Sequence, residues 1–206
     1  MQLSLPCSII INGQPTQGKS YLIRSMIYQL RNNFDHGVVF SNTANVGDNY
    51  NYIPSKRKYL RYSDDIMEDI LASQLKLIEE GKPCRMFIIF DDILDAKFNG
   101  KTLTKLYTQY RHYNIQCLIT ATQYFNKLVP CVRETANLIF LFKCDNAITL
   151  RKFASEYMGE MTFEEARRFI MSRLKVKYTY LMVNKYSESK YLFGKAGAVP
   201  NYKLVF

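Results

Sequence analysis

The chain has 206 residues, 48% hydrophobic and 22% charged, a composition that suits one globular domain burying roughly 70% of its unfolded surface. Its 28 Lys and Arg against 18 Asp and Glu give a net charge of +10, which favours polyanionic partners, chiefly nucleic acid or an acidic membrane surface. Zinc-ligand spacing is absent, since the five cysteines form no CxxC pair and only two histidines accompany them. No apolar run approaches the ~18 residues of a membrane span, and the N-terminus reads as a strand leading into a motif rather than as a signal peptide. Scattered cysteines without a framework suit a reducing, intracellular compartment.

Short apolar runs alternate with amphipathic stretches, which predicts an α/β fold with a mainly parallel sheet flanked by helices. Ser8–Asn12 (SIIIN) reads as a buried strand, followed by a Gly-, Pro- and Thr-containing loop and a helix from Lys19 to Arg31. Gly37–Asn42 is expected to form a second strand. Residues 43–63 read as a long polar loop, of the kind that is usually functional or mobile. Ser63, before Asp64 and Asp65, is placed to cap a helix running to about Glu80. Met86–Asp91 (MFIIFD) is the third predicted strand, Leu103–His112 a helix, Gln116–Thr122 the fourth strand and Asn137–Lys143 the fifth. Helices are expected near Ala147–Tyr157 and Phe163–Leu174, the latter opened by a capping box at Thr162 and Glu165. Lys175–Val183 and Lys190–Phe193 read as a terminal hairpin. The economical reading is one domain over 1–206, with a core at about 8–145 and an extension at about 146–206.

Two motifs carry the chemistry. Residues 13–20 read Gly13-Gln14-Pro15-Thr16-Gln17-Gly18-Lys19-Ser20, a full match to GxxxxGK followed by Ser or Thr, placed after a strand and opening a helix. Such a P-loop turns backbone N–H groups and a helix N-terminus toward phosphate oxygens. Together with the next residue, Tyr21, these positions are the expected nucleotide-binding set. Lys19 is expected to reach the β- and γ-phosphates of ATP and Ser20 to ligate Mg²⁺. The strand Phe87–Phe90 then ends in Asp91 and Asp92. Asp91 is expected to hold Mg²⁺, and Asp92 to polarise the attacking water.

Other residues leave alternatives open. Gln123, after the fourth strand, could face the γ-phosphate as a sensor if that strand lies between the P-loop strand and the acidic strand; otherwise it starts a loop. Arg133, in VPCVRE, could act on a neighbour's nucleotide, or be a surface or ion-paired arginine; Arg111 is a second candidate. Lys56, Arg57, Lys58 and Arg61, interleaved with Tyr50, Tyr52, Tyr59 and Tyr62, could hold nucleic acid through phosphate contacts and base stacking. A solvated basic loop is the alternative.

In order, GQPTQGKS, VVFSNTA, MFIIFDDI, LYTQYRHYNIQCLITATQ and VPCVRETANLIFLFK resemble the poxvirus-type genome-packaging ATPases of the FtsK–HerA superfamily, over roughly residues 9–145. The resemblance implies a RecA-like P-loop ATPase that uses ATP and Mg²⁺. Such an enzyme assembles into a homo-oligomeric ring, pentamer or hexamer, and drives double-stranded DNA into a preformed capsid, docking on a capsid or portal/vertex protein without a membrane. It implies Walker A roles for Lys19 and Ser20, Walker B roles for Asp91 and Asp92, a sensor role for Gln123 and a trans-acting role for Arg133. It also implies a location in the host cytoplasm or viral factory, the nucleus or the virion. Many ring ATPases of the wider superfamily carry Glu where this chain has Asp92. A HerA-like helicase or conjugation-type DNA pump, a small P-loop kinase and a nucleotide-gated scaffold are the competing readings.

Overall fold

The computed structural model describes residues 4–82, 84–93 and 100–197. Its centre is an eight-stranded sheet built from β1 (Cys7–Asn12), β2 (His36–Ser41), β3 (Lys58–Tyr59), β4 (Met86–Asp91), β5 (Ile115–Thr122), β6 (Leu138–Phe142), β7 (Thr179–Asn184) and β8 (Tyr191–Lys195). Their spatial order is β3-β2-β4-β5-β1-β6-β7-β8. The first six run parallel, while β7 and β8 pair antiparallel as the C-terminal hairpin.

Continuous apolar runs form these strands because both sheet faces are covered. On β1, Ile9 and Ile11 pack to one side and Ile10 to the other; on β4, Phe87 and Ile89 oppose Ile88 and Phe90. The first face is covered by helix α1 (Lys19–Gln29), through Leu22, Ile23, Met26 and Ile27. The second is covered by α2 (Asp64–Glu79), α3 (Lys101–Gln109), α4 (Pro130–Thr135), α5 (Ala147–Tyr157) and α6 (Phe163–Arg173). The predicted capping box is formed: Thr162 Oγ1 accepts from the Glu165 N–H, and the Glu165 carboxylate accepts from the Thr162 N–H.

The segment 43–63 departs from a polar loop. Tyr50, Tyr52 and Ile53 are buried against the α1 face of the sheet and Tyr62 against the opposite face. Aromatic bodies of this size gain more by covering sheet than by facing water. The segment also supplies β3, a two-residue strand at the sheet edge. The helix predicted over Leu103–His112 starts two residues earlier and tightens into a 3₁₀ turn at Tyr110–Tyr113. Helix α4 is an addition, six residues opened by Pro130 at its first turn.

Candidate nucleotide site

The C-terminal ends of β1, β4 and β5 meet at one edge of the sheet, where ligands bind in open α/β folds. The chain leaves β1 at Asn12, whose side-chain amide donates to the Thr122 carbonyl at 3.1 Å, and the Gly13 N–H donates to the same carbonyl at 3.1 Å. These bonds tie the start of the P-loop to the end of β5. The loop turns through Thr16 (φ 63°) and Gly18 (φ 109°) into α1. Gly18 is required twice over. Its backbone is left-handed, and a Cβ there would meet the Tyr178 ring at 2.8 Å. The first turn of α1 carries no acidic side chain, so the positive potential of its N-terminus is left for an anion.

Lys19 is buried, with Nζ donating to the Gly13 carbonyl at 2.8 Å and standing 3.6 Å from Asp92 Oδ2. Asp92 has φ 51° and is fixed by two backbone bonds: its N–H donates to the Ala121 carbonyl at 2.9 Å, and its Oδ1 accepts the Gln123 N–H at 3.0 Å. Asp91 is buried; its Oδ2 accepts the Tyr50 hydroxyl at 2.7 Å, while Oδ1 has no partner among the described residues. Burial holds the Asp91 carboxyl above its ordinary range, against the opposing Tyr50 hydrogen bond. An anionic oxygen sealed from water without a donor fits a cation ligand. Ser20 lines the same cleft, so a hydroxyl and a carboxylate converge as Mg²⁺ binding asks, the remaining positions falling to phosphate and water.

The cleft measures about 480 Å³ and is lined by Gln14, Pro15, Thr16, Gly18, Lys19, Ser20 and Tyr21 of the P-loop, by Asp91 and Asp92, and by Thr43, Asn49, Lys177 and Tyr178. β5 separates β1 from β4, so the backbones of the P-loop strand and the acidic strand lie two strand spacings apart, roughly 9–10 Å, and the Lys19 side chain reaches across to Asp92.

No protein-family model matches the chain. Protein 015R of Frog virus 3 (isolate Goorha) is 31% identical over 148 residues, 69% of this chain and 45% of the viral protein. Protein L437 of Acanthamoeba polyphaga mimivirus is 26% identical over 175 residues, covering 77% and 61% respectively. The chain thus spans about half the length of the first of these relatives and three-fifths of the second. Among solved structures, the genome packaging NTPase B204 of Sulfolobus turreted icosahedral virus 2, in complex with ATP-gammaS, matches with a TM-score of 0.66 at 21% identity, over 94% of this chain and 98% of that one. The cytoplasmic domain of the Type VII secretion ATPase EccC of Thermomonospora curvata matches with a TM-score of 0.63 at 13% identity, over 96% of this chain and 26% of that one. The fold is that of a RecA-like P-loop NTPase.

Within this RecA-like sheet several expected residues sit elsewhere than the sequence reading placed them. Arg133 is one of them. Its guanidinium is buried, Nε donates to Glu156 Oε1 at 2.9 Å on α5, and Nη1 donates to the Leu128 carbonyl. It is ion-paired within its own chain, as one of the alternatives held. Arg111 stands at the opposite end of the sheet, beside Cys7, Asn137 and Tyr186, far from the P-loop. Gln123 follows β5 between the two motifs, as the sensor reading required, but its backbone N–H is what touches Asp92, and its side chain is not among those lining the cleft.

The basic cluster also divides. Lys56 and Arg61 are exposed and Lys58 is half-buried, whereas Arg57, also half-buried, lines an open groove with His36 and Cys84. There it helps burial push the His36 imidazole down to about 4. Base stacking by Tyr50, Tyr52 and Tyr62 is corrected, because all three are buried; Tyr59 stacks on Phe40, ring centroids 5.0 Å apart. Thr43, Asn49, Tyr50, Lys177 and Tyr178 are cleft or acid-contacting residues that the motifs did not name. The long loop 43–63 signalled the first three. Nothing local signalled the last two.

Proposed function

We propose that the chain is an ATP-hydrolysing motor that translocates double-stranded DNA, packaging a viral genome into a preformed capsid. One observation carries the hydrolytic part: Lys19 stands 3.6 Å from Asp92, beside a buried Asp91 oxygen that no described residue satisfies. The backbone N–H groups of residues 14–20 would cradle the phosphates, and Lys19 would exchange its Gly13 carbonyl bond for the β- and γ-oxygens. Ser20 and Asp91 would hold Mg²⁺, which when bound neutralises charge developing on the transferring phosphoryl group. Asp92, held by Ala121 and the Gln123 N–H, directs its carboxylate into the cleft and would orient and polarise a water. Gln123 thereby couples the end of β5 to that water through its backbone. Neither Arg133 nor Arg111 is given a role in hydrolysis.

The intervening β5 disfavours the small-kinase reading, in which the acidic strand adjoins the P-loop strand. Likeness in fold to a genome packaging NTPase over nearly the whole of both chains, and sequence likeness to proteins of large DNA viruses, support the packaging context. On this reading residues 8–145 and the C-terminal extension act as one ATPase unit. Copies form a ring on a capsid or portal/vertex protein at sites of viral assembly, and the exposed Lys56 and Arg61 are available to DNA phosphates. Among the described residues no helix is long and apolar enough to cross a membrane.

The test is ATP hydrolysis by purified protein with and without long double-stranded DNA, beside Lys19→Ala. Turnover that DNA stimulates and the variant lacks supports the motor. Phosphate transfer to a small acceptor, with no response to DNA, overturns it in favour of a kinase.

A further inference from the structure

The cleft has two ends, and the motifs account for only one. The acids lie on the β4 side of the P-loop; Lys177 and Tyr178, in the turn before β7, lie on the other side, across β6. A nucleotide whose terminal phosphate faces Asp91 and Asp92 therefore directs its nucleoside toward Tyr178. This inference rests on the reading of the cleft as a nucleotide site.

Tyr178 is held in a conformation that its residue type resists. Its φ is 70°, a left-handed value that bulky residues adopt only when surrounding contacts enforce it. The Ala196 N–H donates to its carbonyl at 2.8 Å, and the Thr179 N–H closes the turn onto the Val176 carbonyl at 3.3 Å. The ring abuts Gly18, where a Cβ would approach Tyr178 Cδ1 to 2.8 Å. Its other neighbour is Tyr21, which follows the P-loop serine, is 52% exposed, and meets Tyr178 edge to face with centroids 6.0 Å apart. Lys177 Nζ lies 5.1 Å from the same ring. An aromatic pair and an ammonium thus border the cleft where a base and the inner phosphates would lie.

We propose that Tyr178, with Tyr21 and Lys177, forms a nucleoside subsite that binds the base of a nucleoside triphosphate by stacking, with Lys177 adding charge near the inner phosphates. Stacking tolerates any base and favours the larger purines. Adenine and guanine nucleotides are then accepted alike, and a triphosphate without a base is held by the P-loop and Lys177 without the stacking contact. Because Ala196 follows β8, the subsite also ties the C-terminal hairpin to the bound nucleotide.

The test measures binding of ATP and of inorganic tripolyphosphate, each with Mg²⁺, to the wild type, Tyr178→Asn and Tyr178→Phe. Asparagine accepts the left-handed backbone without the ring, and phenylalanine keeps the ring. The expected result is a loss of ATP affinity of about tenfold in Tyr178→Asn. Tripolyphosphate binding should change less than about twofold and Tyr178→Phe should behave as wild type. An equal loss for both ligands would show that Tyr178 only props Gly18, and unchanged ATP affinity would place the base elsewhere; either overturns the subsite. Wild-type protein that binds neither ligand overturns the nucleotide reading itself.

Discussion

The two ends of the sheet differ in backbone strain. At the end bearing the P-loop, Thr16, Asp92 and Tyr178 carry positive φ, and Asp91 and Asn12 each keep a buried oxygen without a partner among the described residues. At the other end Ser8 Oγ and Arg57 Nη1 are also without a partner among the described residues, but several polar side chains there are closely matched. Gln74 is buried and donates from Nε2 to the Cys84 carbonyl at 2.9 Å and the Tyr113 carbonyl at 3.0 Å. Asp35 takes the Arg85 guanidinium in a forked pair at 2.9 and 3.1 Å. The Asn137 side chain accepts the Ser8 N–H at 2.7 Å. The non-glycine residue with positive φ there is Asn114, a type that tolerates it. Strained backbone and an unpartnered carboxylate oxygen thus fall where a ligand would relieve them.

Substitutions at the two ends should therefore fail differently. The largest effect is expected from Lys19→Ala, which should lower ATP turnover by about 10²–10³-fold while thermal melting moves little. A matching fall in melting temperature would mean that Lys19 is structural. Gln74→Leu should do the reverse. It strands two buried carbonyls and should cost about 2–4 kcal/mol in denaturant unfolding, with turnover per folded molecule unchanged. Arg133→Met sharpens the boundary. It removes one partner of Glu156, which keeps Lys152 at 2.9 Å, and should cost about 2–3 kcal/mol. Mixing that variant with Lys19→Ala subunits should restore no activity; recovery would return Arg133 to a trans role.

The smallest expected change in stability concerns Asp91 and depends on pH. Because its folded value lies above the ordinary 3.8, the unfolded chain releases this proton first. The group's contribution to stability is full below that ordinary value and is lost as pH rises through the raised one. Asp91→Asn should therefore stabilise the nucleotide-free protein near neutrality, and less near about pH 4, while removing turnover. Equal melting shifts at both pH values would sink this account.

Much of this arrangement was legible in the sequence where local pattern and tertiary demand agree. The buried strands read as apolar runs because covered parallel strands need apolar residues on both faces, and Ala147–Tyr157 was bounded correctly from its pattern. The P-loop and its acids were legible because phosphate chemistry demands those residue types at that spacing. The tyrosines of the 43–63 segment were not. Whether Tyr50 meets solvent or Asp91 depends on a sheet face assembled from residues scattered along the chain. Tyr178 was hidden for a related reason: its left-handed turn is imposed by Ala196 and Gly18, and a local reading expects Gly or Asn there.

The narrow β3 edge has a consequence for crowded conditions. An open strand edge offers unpaired backbone groups to any other chain, and sheets guard against this with short, charged margins. Here the margin is two residues long, follows Pro54, and carries Lys56, Arg57 and Lys58 beside it. A second copy approaching that edge would meet few ladder bonds and a row of like charges. Fibril-like stacking through β3 is therefore discouraged, and contacts between copies on that side fall to side chains rather than to a shared sheet.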